Sequence, residues 1–160
     1  LINYSTKMKK VIFMVLFALA STVASAQSIG MRTLFGSEIE SIGIGVMGQY
    51  EFTDRVRGAV SFDAYIKNKG RSMWDFNVDG HYLFPIVDRL TVYPIGGITY
   101  INDNYSKDDH SSTTHRFGIN AGAGADYELT EDLSLTAETK FQLVNGFNQA
   151  VASIGIVYNF

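Results

Sequence analysis

The stretch that decides the fold begins at Ser41-Ile-Gly-Ile-Gly-Val-Met-Gly-Gln-Tyr-Glu-Phe52. It breaks at Thr53-Asp54-Arg55 and resumes as Val56-Arg-Gly-Ala-Val-Ser-Phe-Asp-Ala-Tyr-Ile66. In the first run Ile42, Ile44, Val46, Gly48, Tyr50 and Phe52 fall on one face, and Ser41, Gly43, Gly45, Met47, Gln49 and Glu51 on the other. In the second, Val56, Gly58, Val60, Phe62, Ala64 and Ile66 oppose Arg57, Ala59, Ser61, Asp63 and Tyr65. A period of two is the mark of strands with unlike faces. A three-residue turn at 53–55 sets Phe52 opposite Val56 and Glu51 opposite Arg57, apolar on apolar and acid on base. A slip of one residue would bring charge onto the apolar face.

Outward from this hairpin the same alternation appears in 73–84, 90–101, 116–129, 133–143 and 149–160. It is weakest in 28–35, where Arg32 marks the even positions as polar. Pro94 implies a gap in the ladder of 90–101. The pattern predicts eight strands in one all-β domain, an eight-stranded antiparallel up-and-down transmembrane β-barrel. Strands of about ten residues, tilted, are long enough to cross a bilayer. The connections 53–55, 85–89 and 130–132 are tight, and 36–40, 67–71, 102–114 and 144–148 are longer and polar. Barrels of the outer membrane show this asymmetry, with short turns on the periplasmic side.

The N-terminal segment reads as an address. Lys9-Lys10 precede ten apolar residues, Val11–Ala20, and the small-x-small site Ala24-Ser25-Ala26 precedes Gln27. Ten residues fall short of the roughly 20 that a membrane helix needs. The reading is a signal peptide over 8–26, cut between Ala26 and Gln27, with upstream read-through at 1–7 and the barrel domain over 27–160.

Composition narrows the classes. There is no cysteine, so no disulfide framework, thiolate metal site or cysteine nucleophile exists. The net charge is −3, but Lys7, Lys9 and Lys10 lie within residues 1–26. The domain from Gln27 on is more acidic, offers no basic patch, and is not expected to bind nucleic acid.

Alternation alone does not say which face looks inward, and a soluble lipocalin-like carrier has the same period. Three features favour the apolar face outside. Aromatics gather at strand ends: Tyr50, Phe52, Tyr82, Phe84 and Tyr127 at one, Trp74, Tyr100 and Phe141 at the other. Two girdles match two membrane interfaces. The polar face is rich in glycine (Gly43, Gly45, Gly97, Gly118, Gly122, Gly124), which suits a cramped interior. The chain also ends on an aromatic residue.

That ending, Ser153-Ile-Gly155-Ile-Val-Tyr158-Asn-Phe160, resembles the C-terminal insertion signal of bacterial outer-membrane barrels. With the leader and eight strands, the chain resembles the small eight-stranded outer-membrane β-barrel family of the OmpA/OmpX type, a porin-like barrel domain. The resemblance implies export through the periplasm to the outer membrane of a Gram-negative bacterium. It also implies insertion by the barrel assembly machinery, and outer-membrane lipid and lipopolysaccharide as surroundings.

The inward face collects charge. Glu51, Arg57, Asp63, Asp79, Arg116, Asp126, Glu138 and Lys140 are expected to form a lumen network, with Arg57, Arg116 and Lys140 as cationic nodes. Arg32, Asp75, His81 and Glu128 share that face. An eight-stranded interior is just wide enough for side chains to fill, so these charges are expected to pair. The segment 102–114 holds Asp103, Asp108, Asp109, His110, Ser111 and Ser112, with His115 following. Its spacing does not fit an EF-hand, and a Ser/His/acid trio arises there without a family motif. Gly118, Gly122 and Gly124 lack the Lys-Ser/Thr and helix of a phosphate loop.

The expectation is a non-enzymatic monomer with a structural or surface-interaction role and no catalytic, metal or cofactor residues. The alternatives are a narrow passive channel, an enzyme acting on outer-leaflet lipid with His115 as its best candidate, and the soluble carrier.

Overall fold

The computed structural model describes residues 6–11, 13–14, 27–107, 110–144 and 147–160. Within them lie β1 (Ser28–Gly36), β2 (Ser41–Glu51), β3 (Val56–Asn68), β4 (Arg71–Tyr82), β5 (Phe84–Val87), β6 (Leu90–Lys107), β7 (His110–Glu128), β8 (Leu133–Val144) and β9 (Phe147–Asn159). Consecutive strands other than β4 and β5 pair antiparallel, and β1 pairs with β9 from Ser28↔Asn159 to Gly36↔Val151. The pairing of β4 with β6 carries the sheet past β5, so eight strands close into a barrel and β5 stands outside it.

The register is the one the hairpin arithmetic demands. Glu51 lies opposite Arg57, and Phe52 N donates to Val56 O at 2.9 Å. At the matching turn Glu128 lies opposite Ser134, and Leu129 N donates to Leu133 O at 2.8 Å. Thr53 and Thr130 cap these turns, each hydroxyl accepting from backbone N–H groups two and three residues on. The β3–β4 turn is a two-residue one. Lys69 and Gly70 both take positive φ, 52° and 78°, the primed geometry that matches strand twist.

The faces sort as a membrane barrel requires. Met31, Ile44 and Phe117 are 65–70% exposed on the outer wall, while Asp75, Asn77 and Asn120 are fully buried inside. A soluble carrier would have these the other way round, so the lipocalin-like alternative is overturned. Polar groups hydrogen-bond one another in the interior, and hydrocarbon is the only solvent that favours such an outer wall.

Two connections differ in kind from the sequence reading. The segment 102–114, expected as a loop, continues β6 and β7 as a paired ribbon from Asn102↔His115 to Lys107↔His110. Its Ser, Thr and Asn content reads as loop, but the hydroxyls and amides bond across the ribbon: Thr113 Oγ1 donates to Asn104 Oδ1 at 2.7 Å. The tight turn at 85–89 contains a strand, with Phe84 and Pro85 opposite Val92 and Thr91. Pro94 lies where β6 changes partner, between Val92 against β5 and Ile95 against β4, so its missing N–H falls at the gap. The glycines Gly118, Gly122 and Gly124 lie within β7.

Inward glycines make room for specific side chains. A Cβ on Gly124 would meet the Tyr93 ring at 2.6 Å. Gly45 and Gly97 similarly leave space for the carboxylates of Asp63 and Asp79. Gly124→Val is therefore expected to lower barrel stability by about 1–3 kcal/mol through overpacking. Urea unfolding in detergent, followed by the heat-dependent gel shift, measures it. An unchanged midpoint would show that Tyr93 has another place to go.

Candidate functional site

Among the described residues, the lumen holds the main concentration of buried charge. Alternation on each strand aims every second residue inward, and closure brings distant strands face to face. At the centre, Arg32 of β1 is 6% exposed. Its Nε and Nη2 donate to both oxygens of Asp63 at 3.0 and 2.6 Å. Its Nη1 reaches Glu138 Oε1 at 3.2 Å, and Nη2 also meets Ser61 Oγ at 3.1 Å. This two-pronged geometry is the strong form of an Arg–carboxylate pair.

Below it, towards the end holding turns 53–55 and 130–132, Arg57 donates to Asp126 Oδ2 at 2.7 Å and to His81 Nδ1 at 3.2 Å. The guanidinium lies 4.7 Å from the centroid of the Tyr93 ring, which stacks on His81. The Tyr93 hydroxyl donates to Glu138 Oε2 at 2.7 Å, linking the two clusters. On the other side Lys140 Nζ donates to Asp79 Oδ2 at 3.0 Å, and Asn120 Nδ2 donates to Asp79 Oδ1 at 2.8 Å. Asn77 donates to Asp75 at 2.7 Å, Gln142 to Asp75 at 3.2 Å, and Gln149 to Gln142 at 2.9 Å. The network is continuous, and neutral amides carry it towards the loop end.

There it stops. Leu34, Ile39, Tyr65, Met73, Ile101, Val144 and Val151 form a buried apolar cluster across the bore. Ile39 comes from the β1–β2 connection rather than from a strand, and its N–H donates to Gln149 Oε1 at 3.2 Å. Apolar residues above and a densely hydrogen-bonded polar network below leave a filled interior, as the size of the barrel requires.

Of the eight residues expected in the network, Arg57, Asp63, Asp79, Asp126, Glu138 and Lys140 are joined in it. Two are placed elsewhere. Glu51 is exposed at the turn rim; it faces Arg57 in register, but the guanidinium turns inward to Asp126. Arg116 stands half-buried above the apolar cluster, 3.9 Å from Asp103, whose carboxylate Arg71 grips at 2.9 and 2.7 Å. Asp103 is thus engaged by arginine; Asp108 and Asp109 lie outside the described residues. Arg32, Asp75 and His81, read as inward but not placed in the network, belong to it. Asn77 and Gln142 share the polar face by parity, but they, Tyr93, Asn120 and Gln149 carry no charge, and a network read from charge passes over them.

The girdle residues lie on the outer wall. Ring pairs Tyr50–Phe52, Tyr82–Phe84 and Tyr158–Phe160 mark the turn end, with Tyr127 also exposed. Trp74, Tyr100 and Phe117 form a chain of rings nearer the loops, and Phe141 is exposed on the same face. In the terminal pattern Ser153 and Gly155 face inward while Tyr158 and Phe160 face out. A Cβ on Gly155 would lie 2.7 Å from Arg32 Cβ, so that glycine makes room for the central arginine. Of the residues flanking the expected cleavage, Ala24 and Ala26 lie outside the described residues. Gln27 is described: its N–H donates to Gln49 O, and its carbonyl accepts from Phe160 N–H, both at 2.9 Å.

A family model described as the outer membrane protein beta-barrel domain matches residues 14–160. The chain belongs to this family. No curated protein matches it by sequence. Among solved structures it is similar to the N-terminal β-barrel domain of Pseudomonas aeruginosa OprF, at 23% identity and TM-score 0.70, covering 84% of this chain and 98% of that one. It is similar to Ail, the attachment invasion locus protein of Yersinia pestis, at 16% identity and TM-score 0.64, covering 83% and 95%. It is also similar to the outer membrane enzyme PagL, at 10% identity and TM-score 0.57, covering 83% and 99%. At these identities the likeness is one of fold.

Removing Arg32 tests the centre of the network. Arg32→Met leaves the Asp63 carboxylate without the cation that holds it and is expected to cost about 3–5 kcal/mol. Adding Asp63→Leu and Glu138→Gln is expected to restore most of that loss. Urea midpoints in detergent for the three proteins decide it, and a triple variant no more stable than the single one would refute the pairing.

Proposed function

We propose that this chain is a non-enzymatic, monomeric barrel of the Gram-negative outer membrane, whose role is structural or interactive rather than conductive. The observation that carries the reading is the filled bore: Arg32, Asp63, Glu138, Asp79 and Lys140 close its middle and the apolar cluster around Ile101 closes its loop end. What remains available to other molecules is the outer wall and the loop-end rim. Lipid and lipopolysaccharide contact the first, and surface partners the second. The chain reaches the membrane through the periplasm, and the assembly machinery recognises the last strand, where Tyr158 and Phe160 face outward.

The narrow passive channel is the second reading. Hydrogen-bonded polar groups run from Arg57 up to Gln149, so the apolar cluster is the barrier a water path would have to breach. Conductance in a planar bilayer separates the two, with the heat-dependent gel shift as proof of folding. Inserted protein is expected to be silent, and Ile101→Ser combined with Leu34→Ser is expected to produce current. Reproducible steps from the unaltered protein would overturn the filled-bore reading.

The end signal has its own test. Deleting Phe160 is expected to reduce the inserted fraction several-fold while synthesis stays unchanged. Equal insertion with and without it would show that the assembly machinery does not read this residue.

A further inference from the structure

On the outer wall the strands β4, β6 and β7 align in rows. One row is Phe76, Tyr100 and Phe117; the next towards the loops is Trp74, Asn102 and His115; the one beyond is Ser72, Asn104 and Thr113. Apolar rings thus give way to amides, hydroxyls and an imidazole within two residues of each strand. The rings touch: Trp74 and Tyr100 have centroids 5.8 Å apart, and Tyr100 stacks on His115 at 5.8 Å.

Asn102 is the anomaly in this patch. It lies on the outward parity of β6, yet it is 8% exposed. Its Nδ2 lies 3.1 Å from His115 Nδ1, a nitrogen that the Tyr100 hydroxyl also meets. Its Oδ1 is buried with no hydrogen-bond partner. Exchanging the amide O and N does not remove the problem, because one end then faces His115 and the other is still unpaired. A buried unpaired amide atom is costly, and a ligand that supplies the missing bond recovers that cost.

We propose that this patch binds the saccharide part of an outer-leaflet glycolipid. A sugar hydroxyl both donates and accepts, so once the Asn102 side chain turns outward the hydroxyl satisfies the orphaned amide atom whichever way the amide lies. The half-buried rings of Trp74 and Tyr100 offer apolar surface against which a pyranose ring packs. Asn104 and Thr113, already bonded to each other, continue the polar row in the direction in which a chain of sugars would rise from the membrane. None of these side chains carries a fixed charge. Arg71 and Arg116 of the same strands turn inward to Asp103, so the patch is built for neutral hydroxyls rather than phosphate. The patch faces lipid just above the aromatic belt at the loop end, which sets the sugar at headgroup height.

This inference rests on the reading that the barrel stands in the outer membrane. Trp74 is the sole tryptophan of the chain, so its emission reports on the patch without a label. The barrel is placed in phospholipid bilayer discs with rising fractions of purified lipopolysaccharide. The expected result is a saturable shift of Trp74 emission that survives chemical dephosphorylation of the lipopolysaccharide. Asn102→Leu and, separately, His115→Leu are expected to weaken it about tenfold, the worth of one hydrogen bond. His115 is exposed, so its replacement is readable even where Asn102→Leu impairs folding. A folded, inserted barrel whose emission does not saturate overturns the inference and leaves the membrane reading standing. So does a response lost on dephosphorylation, or one that only the delipidated oligosaccharide elicits. Variants that respond like the unaltered protein also overturn it. A chain that does not enter the bilayer overturns both readings.

Discussion

Closing eight strands into a cylinder leaves an interior one or two side chains wide, and everything inside this protein answers to that dimension. Arg32 occupies the centre with its stem against Gly155 and its guanidinium between Asp63 and Glu138. A smaller cation would not span from β3 to β8, and a larger neighbour at Gly155 would displace the stem. Once that guanidinium is in place, Asp63 and Glu138 are each committed. Tyr93 then takes the second oxygen of Glu138, and its ring lies over Gly124 and beside His81. The inward glycines are consequences of the same shortage of room.

Such a core inverts the usual energetics of a small domain. Buried ion pairs in water-soluble proteins are often replaceable by apolar residues at little cost, because desolvation offsets attraction. In a bilayer the apolar residues are required on the outside, where they face hydrocarbon. The polar residues gain their bonds only by meeting one another inside. Wall and lumen are therefore complementary halves of one alternating pattern, and a register slip would injure both.

That pattern explains what the sequence made legible. Parity alone identified eight strands, the pairing of Glu51 with Arg57 and the membership of Asp63, Asp79, Asp126, Glu138 and Lys140 in the interior. It also set Arg32 on the polar face, although it did not say that this residue is central; that depends on which strands face each other across the bore. Height along the bore was likewise invisible. Arg116 shares inward parity with the rest, but the cluster around Ile101 separates it from the network. Glu51 has the right partner in register and the wrong position, at a rim where its side chain reaches water. The ribbon at 102–114 was hidden by composition, since serine and threonine serve loops and exposed strands equally well.

Filling the bore shifts the burden of specificity to the outer wall. Most of that wall needs only to be apolar, and many side chains serve equally well. Asn102 breaks the rule: an amide on the lipid-facing side, buried between an indole and an imidazole, with one polar atom unmatched. Folding alone gives no reason to retain it, because a leucine would fill the same space between Trp74 and His115 without an orphaned atom. Inside the lumen, Asn77 and Asn120 donate to neighbouring carboxylates and the network uses them, although Asn120 Oδ1 is itself left without a partner. Asn102 has no carboxylate to hold, and it marks the part of this barrel whose chemistry its architecture does not require.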